Sequence, residues 1–224
     1  GQQLLCAYLR RSRLDGARHS AAILKLLVTR LRQQWPQVRV VFRGDSGFCR
    51  QRIINYCERA DVHYIVGLAR NPRLQQITEF LELAMKDEFK LTGIKQRQIG
   101  EFRYAAQSWA TERRVITRLE FGEGGNNPRY VVTNLGGDAA ELYDDVYCQR
   151  GEAENRIKEA QVGLFATRTS CQQFQSNQLR MLLAALAYVL IERLRALALQ
   201  GTALATAQVD TLRIKLLKVA ATIT

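Results

Sequence analysis

Proline and histidine are scarce in this chain of 224 residues, with three of the first and two of the second. With so few prolines and 15 glycines in no fixed repeat, a collagen-like chain is excluded, and 47% hydrophobic residues exclude a disordered one. His19 and His63 are the whole imidazole supply. The five cysteines (Cys6, Cys49, Cys57, Cys148, Cys171) are odd in number, scattered, and include no C-x-x-C pair. A zinc site of ordinary spacing and a disulfide scaffold are therefore not expected. The cysteines read as reduced, mostly packed thiols of a cytoplasmic protein. No secretory signal opens the chain. The longest apolar run, Met181 to Ile191, gives way to Glu192 and Arg193 and is too short to span a bilayer. Acidic residues are also in deficit: 21 Asp and Glu face 33 Lys and Arg, a net charge of +12 and a pI of about 9.9. That excess points to a polyanionic partner, either nucleic acid or an anionic membrane surface.

What is present reads as α/β. Leu4 to Leu9 and Val38 to Phe42 are strand-like runs. Between them, Ser20 to Gln34 carries Ala22, Ile23, Leu26, Leu27 and Leu31 at helical spacing, ended by Trp35-Pro36. A helix over Arg50–Ala60, a buried strand over His63–Leu68 and an amphipathic helix over Leu74–Lys86 complete the first part. From about Lys95 the period shortens. Phe102–Ala105, Arg114–Phe121 and Arg129–Thr133 read as strands, the last two joined through Gly122–Asn127 as a hairpin. Helix returns over Ala139–Gln161, followed by helices over Cys171–Leu199 and Ala203–Ala221, split at Gly201. The first residue is Gly1, and Leu4–Leu9 reads as a strand already under way, so an upstream portion is expected.

Two stretches could carry chemistry. Asp45, in Arg43-Gly44-Asp45-Ser46-Gly47-Phe48, stands just past the C-terminal end of a strand, where catalytic groups gather in open α/β sheets. The plainer reading is a turn and helix cap, for which Asp-Ser-Gly is good chemistry. The second stretch runs from Tyr147 to Gln161. On one continuous helix, Tyr147, Arg150, Glu154, Lys158 and Gln161 share a face suited to a phosphate-rich substrate with a metal ion. Its plainer reading is a solvated helix held by Glu154–Lys158 and Glu152–Arg156 pairs.

Together with Tyr64-Ile65-Val66-Gly67-Leu68-Ala69-Arg70-Asn71, these stretches resemble the DDE transposases of bacterial insertion sequences. Tyr147-x-x-Arg150-x-x-x-Glu154 fits the Tyr-Arg-Glu-Lys signature of one group of them. Asn177–Arg180 and Leu212–Lys218 resemble that group's C-terminal tail. The resemblance implies an RNase H-like catalytic core, a mixed sheet flanked by helices, built from residues 1–92 and 136–170. It further implies a β-strand insertion over 93–135 and a C-terminal helical region over 171–224. It also implies an acidic triad holding two Mg²⁺ or Mn²⁺ ions for cut-and-paste DNA strand cleavage and transfer. By position, Asp45 is the second acid and Glu154 the third, both metal ligands. Tyr147 and Arg150, with Lys158 and Gln161 further along the helix, would face DNA phosphate. Trp109, the only tryptophan of the insertion, is the candidate for stacking on a flipped base. The partner implied is double-stranded DNA at the terminal inverted repeats and the target, bound by a homodimer on paired ends near the nucleoid.

Two departures qualify the resemblance. The signature lysine is replaced by Gln161, which keeps a hydrogen bond but loses a charge. No residue occupies the position of the first aspartate; Asp15 sits in a turn after the first run. The chain is thus expected to be an incomplete, inactive part of a transposase. Two alternatives are a DNA-binding transposase remnant without catalysis, and an unrelated α/β nuclease or phosphoesterase. The charge distribution favours DNA over a membrane. Residues 1–52 carry +9, 53–135 carry +2 and 171–224 carry +4, whereas 136–170, with Glu154, carry −3.

Overall fold

The structure is a computed structural model and describes residues 3–218. The chain divides into two compact units, Leu14–Arg150 and Gly1–Arg13 together with Gly151–Thr224.

The first unit is built on one mixed sheet. Helix α1 (Ser20–Gln34) precedes strand β1 (Val41–Gly44), which leads through a short 3-10 turn (Ser46–Phe48) into α2 (Gln51–Arg59) and β2 (His63–Leu68). Helix α3 (Pro72–Thr92) is followed by β3 (Gln96–Tyr104), β4 (Arg113–Gly122), the two-residue β5 (Gly125–Asn126) and β6 (Arg129–Thr133). The strand order is β1-β2-β6-β4-β3, with β5 paired to β4. β1 and β2 are parallel, as a strand–helix–strand unit requires, and all other pairs are antiparallel. The strands of 93–135 therefore extend the same sheet that β1 and β2 begin.

Alternation along the central strands fills both faces. Tyr64, Val66, Val115, Tyr130 and Val132 join Val28, Ile54 and Leu74 in one core, while Ile65, Ile116 and Val131 join Leu142 and Tyr143 in another. The second unit has a smaller core of Ile191, Leu199, Val209 and Leu212. It contains α5 (Arg150–Lys158, begun at the unit boundary), α6 (Phe174–Leu197) and α7 (Val209–Leu212).

Several expectations are corrected. Leu4–Leu9 is not a strand: a strand needs a neighbour for its backbone groups, and among the described residues none pairs with it. Leu5 and Tyr8 are exposed, and Leu9 N–H donates instead to the Gln178 side chain at 3.1 Å. The α3 helix outruns Leu74–Lys86 at both ends. Asn71 caps it by accepting from Leu74 N–H at 3.0 Å, Pro72 fits its first position, and Gly93 closes it at φ 68°. The helix expected over Ala139–Gln161 is interrupted. After the short α4 (Ala139–Glu141) comes a π-helical turn (Leu142–Tyr147), then α5, then a second π-helical turn (Glu159–Gly163). The bonds lengthen by one residue there, Cys148 N–H reaching Tyr143 C=O at 2.9 Å and Leu164 N–H reaching Glu159 C=O at 3.2 Å. The last helix is shorter than Ala203–Ala221, and the final residues of that range lie outside the described ones.

The cysteines are all free. Cys57 is fully buried, and burial pushes its thiol up to about 12, which fits an inert packing role. Cys6 and Cys148 are exposed, so the packing account does not extend to them. Among the described residues no helix is long and apolar enough to cross a membrane.

Candidate functional site

In the first unit, β1 ends at the buried Gly44, and Asp45 follows at once, exposed, at the C-terminal edge of the sheet. Its carboxylate Oδ1 accepts from Gly47 N–H at 2.8 Å and caps the short turn Ser46–Phe48. The plain turn chemistry is thus realised, and it leaves the second carboxylate oxygen unused by that bond. Asp45 does not cap α2, whose N-cap is Arg50.

Tyr147, at the end of the first π-helical turn, is half-buried and belongs to the same neighbourhood. Burial raises its hydroxyl pKa, with Arg150 opposing and the Asp45 carboxylate adding to the rise. The Arg150 guanidinium lies 5.6 Å from the Tyr147 ring centre. Arg43, two residues before Asp45, donates from Nη1 to the Val146 carbonyl at 2.6 Å. The strand that presents Asp45 therefore also holds the turn that presents Tyr147. Arg43 was not singled out from sequence, although its place beside Asp45 was a usable signal.

Trp109 is placed in packing. Its ring meets Tyr104 edge-on at 5.7 Å, the Arg113 guanidinium sits 4.9 Å from its centre, and it packs against the larger core. Arg113 is itself buried and held by Glu58 at 2.7 Å and 2.9 Å.

In the second unit, Glu154 and Lys158 are exposed on α5, and Gln161 is exposed in the π-helical turn beyond it. The π-helical turns at both ends interrupt the single α-helix expected over this stretch, while the Arg150 guanidinium still lies over the Tyr147 ring. The Glu152–Arg156 pair forms at 2.8 Å. The buried acid is Glu159, missed by sequence reasoning. Its oxygens accept from Arg195 Nη2 at 2.8 Å, Val209 N–H at 3.0 Å and Arg156 Nη1 at 2.7 Å. Burial alone would raise its pKa, but the hydrogen bonds from Arg195 and Val209 prevail and hold it below the ordinary value. Glu159 is a structural acid with its donors fixed, whereas Glu154 is exposed on α5.

A family model described as Transposase DDE domain group 1 matches residues 1–224. The chain belongs to that DDE transposase family. A comparison with curated proteins gave no match. The mixed sheet with flanking helices is consistent with the RNase H-like fold of a DDE transposase, and membership sets aside the alternative of an unrelated nuclease. DDE transposases generally use divalent metals. Carboxylate oxygens are the right donors for such ions, and Asp45 and Glu154 are carboxylates. Among the described residues, however, no three His, Cys, Asp or Glu side chains gather as a metal-holding group.

Proposed function

We propose that this chain is part of a cut-and-paste DNA transposase of an insertion sequence, a mobile genetic element, and that alone it binds duplex DNA without cleaving it. The supporting observation is the family match over 1–224, joined to an exposed Asp45 at the end of a sheet strand with Tyr147 and Arg150 in its neighbourhood. In the complete enzyme, Asp45 and Glu154 are two of three acids for Mg²⁺ or Mn²⁺; no residue here matches the first. Residues 1–92 and 136–170 then form the RNase H-like core, 93–135 the insertion and 171–224 the helical extension. Tyr147, Arg150, Lys158 and Gln161 contact DNA phosphate. For Trp109 to stack on a base, its packing against Tyr104 and Arg113 must open. The enzyme works as a homodimer on paired ends, in the cytoplasm at the nucleoid.

What this chain's residues contribute is positioning and charge. Asp45 is held by a backbone amide, Arg150 offers a guanidinium fork suited to phosphate, and the basic excess draws in the duplex. A second reading, a DNA-binding remnant without catalysis, is favoured by the lack of an assembled acidic group among the described residues.

The test is titration of duplex DNA across salt concentrations. Affinity is expected to fall steeply with salt, and Arg150→Ala to reduce the logarithmic slope by about one. Asp45→Asn should leave binding intact. Salt-insensitive binding, or none at low salt, would refute the reading.

A further inference from the structure

Gly67 lies inside β2, buried, and its backbone φ is not positive. No special backbone conformation therefore requires a glycine there. Space does. A Cβ added at Gly67 would stand 2.8 Å from the Ser46 backbone nitrogen, 2.8 Å from the Tyr147 hydroxyl oxygen and 3.2 Å from the Asp45 carbonyl carbon. A glycine inside a strand commonly marks such a close approach. Gly100, inside β3, differs: its nearest neighbour would be Thr117 Cγ2 at an ordinary 3.8 Å.

We propose that Gly67 is a positioning residue for Asp45 and Tyr147: having no side chain, it lets the Asp45–Ser46 peptide and the Tyr147 hydroxyl seat together on β2. The inference rests on reading Asp45 and Tyr147 as site residues. The other sides of the arrangement are already fixed. Gly47 N–H holds the Asp45 carboxylate, and Arg43 holds the Val146 carbonyl next to Tyr147. The β2 backbone is the floor on which both rest. A methyl group at 67 must lift the Asp45 turn, push the Tyr147 hydroxyl away, or both. Gly67 pairs with Val131 of β6 and its neighbour Val66 with Gly44 of β1, so a floor that receded to make room would break the sheet's pairing.

The test uses the full chain with four variants, Gly67→Ala, Tyr147→Phe, their combination, and Gly100→Ala as control, read by amide NMR and thermal unfolding. Gly67→Ala is expected to move the Ser46 and Gly47 amide resonances and lower Tm by roughly 4–10 °C. Adding Tyr147→Phe should restore part of that Tm, since one of the crowding atoms is then gone. Gly100→Ala should move neither amide. Unmoved Ser46 and Gly47 resonances in Gly67→Ala, or a Tm loss equal with and without the Tyr147 hydroxyl, would overturn the proposal. Should Gly67→Ala not fold, a folded double variant supports it and an unfolded one overturns it. The reading of Tyr147 as a DNA contact fails separately, if Tyr147→Phe binds duplex DNA as tightly as the parent chain. The amide and Tm results do not depend on DNA.

Discussion

Glu154 and Glu159 stand five residues apart, the first exposed and the second buried. Glu159 is 9% exposed and accepts from three residues, Arg195, Val209 and Arg156, so replacing it by Gln takes from Arg195, itself 6% exposed, one of its two carboxylate partners and leaves it Glu192. Glu159→Gln is expected to destabilise the chain by about 1.5–3 kcal/mol, measured by denaturant unfolding. Glu154→Gln, at the surface, should change stability by no more than about 0.5 kcal/mol. Acid sensitivity follows from the same contacts. Glu159 and Glu58 both have folded pKa values below the ordinary 4.5, Glu58 chiefly through its hydrogen bond from Arg113. Their stabilisation is therefore complete above pH 4.5 and is lost as pH falls through the depressed values. A Tm that declines below about pH 4.5, less steeply in Glu159→Gln, is the expected result. The role of Glu159 was not legible in sequence, because its partners Arg195 and Val209 lie 36 and 50 residues away.

Local chemistry made some elements readable. His63–Leu68 is a strand at the residues its apolar run marks, since β2 is buried between β1 and β6 and reads as continuous Tyr-Ile-Val. The start and end of α3 are written in Asn71-Pro72 and Gly93, though the apolar pattern alone put them too far inside. The interruption of the helix over 139–161 is a different matter. Charge spacing at three and four residues suits an unbroken α-helix, and no residue of that stretch announces a π-helical turn. One partner of the turn, Arg43, lies 103 residues before Val146. Removing it tests how far the turn depends on that bond: Arg43→Met should lower stability by about 1.5–3 kcal/mol, the usual range for a hydrogen bond to a charged group. The near-ultraviolet circular dichroism of Tyr147 should change with it. An unchanged spectrum would mean that the turn is set by its own core contacts through Leu142 and Tyr143. Leu4–Leu9 shows the converse failure, an apolar run whose strand identity needs a neighbouring strand that the described residues do not supply.

At the scale of the whole molecule, the +12 charge is spread over every region except 136–170, the one that carries Glu154. The family resemblance was read from Asp45, Tyr147, Arg150 and Glu154 and their spacing, and the match over 1–224 bears out the family. The grouping of Asp45 with Arg43, Gly67 and Tyr147 was not, since it depends on strand register and on how closely β2 is approached. Binding and cleavage are separable properties in such a molecule. On the proposed reading a basic surface serves any duplex, whereas strand scission by a DDE enzyme needs a full set of acids. Incubating the chain with supercoiled duplex DNA and Mn²⁺ over a range of salt, and resolving the products by electrophoresis, reads both at once. Retardation that weakens as salt rises, with the DNA left intact, is the expected result; nicking abolished by Asp45→Asn, or no retardation at low salt, would contradict it.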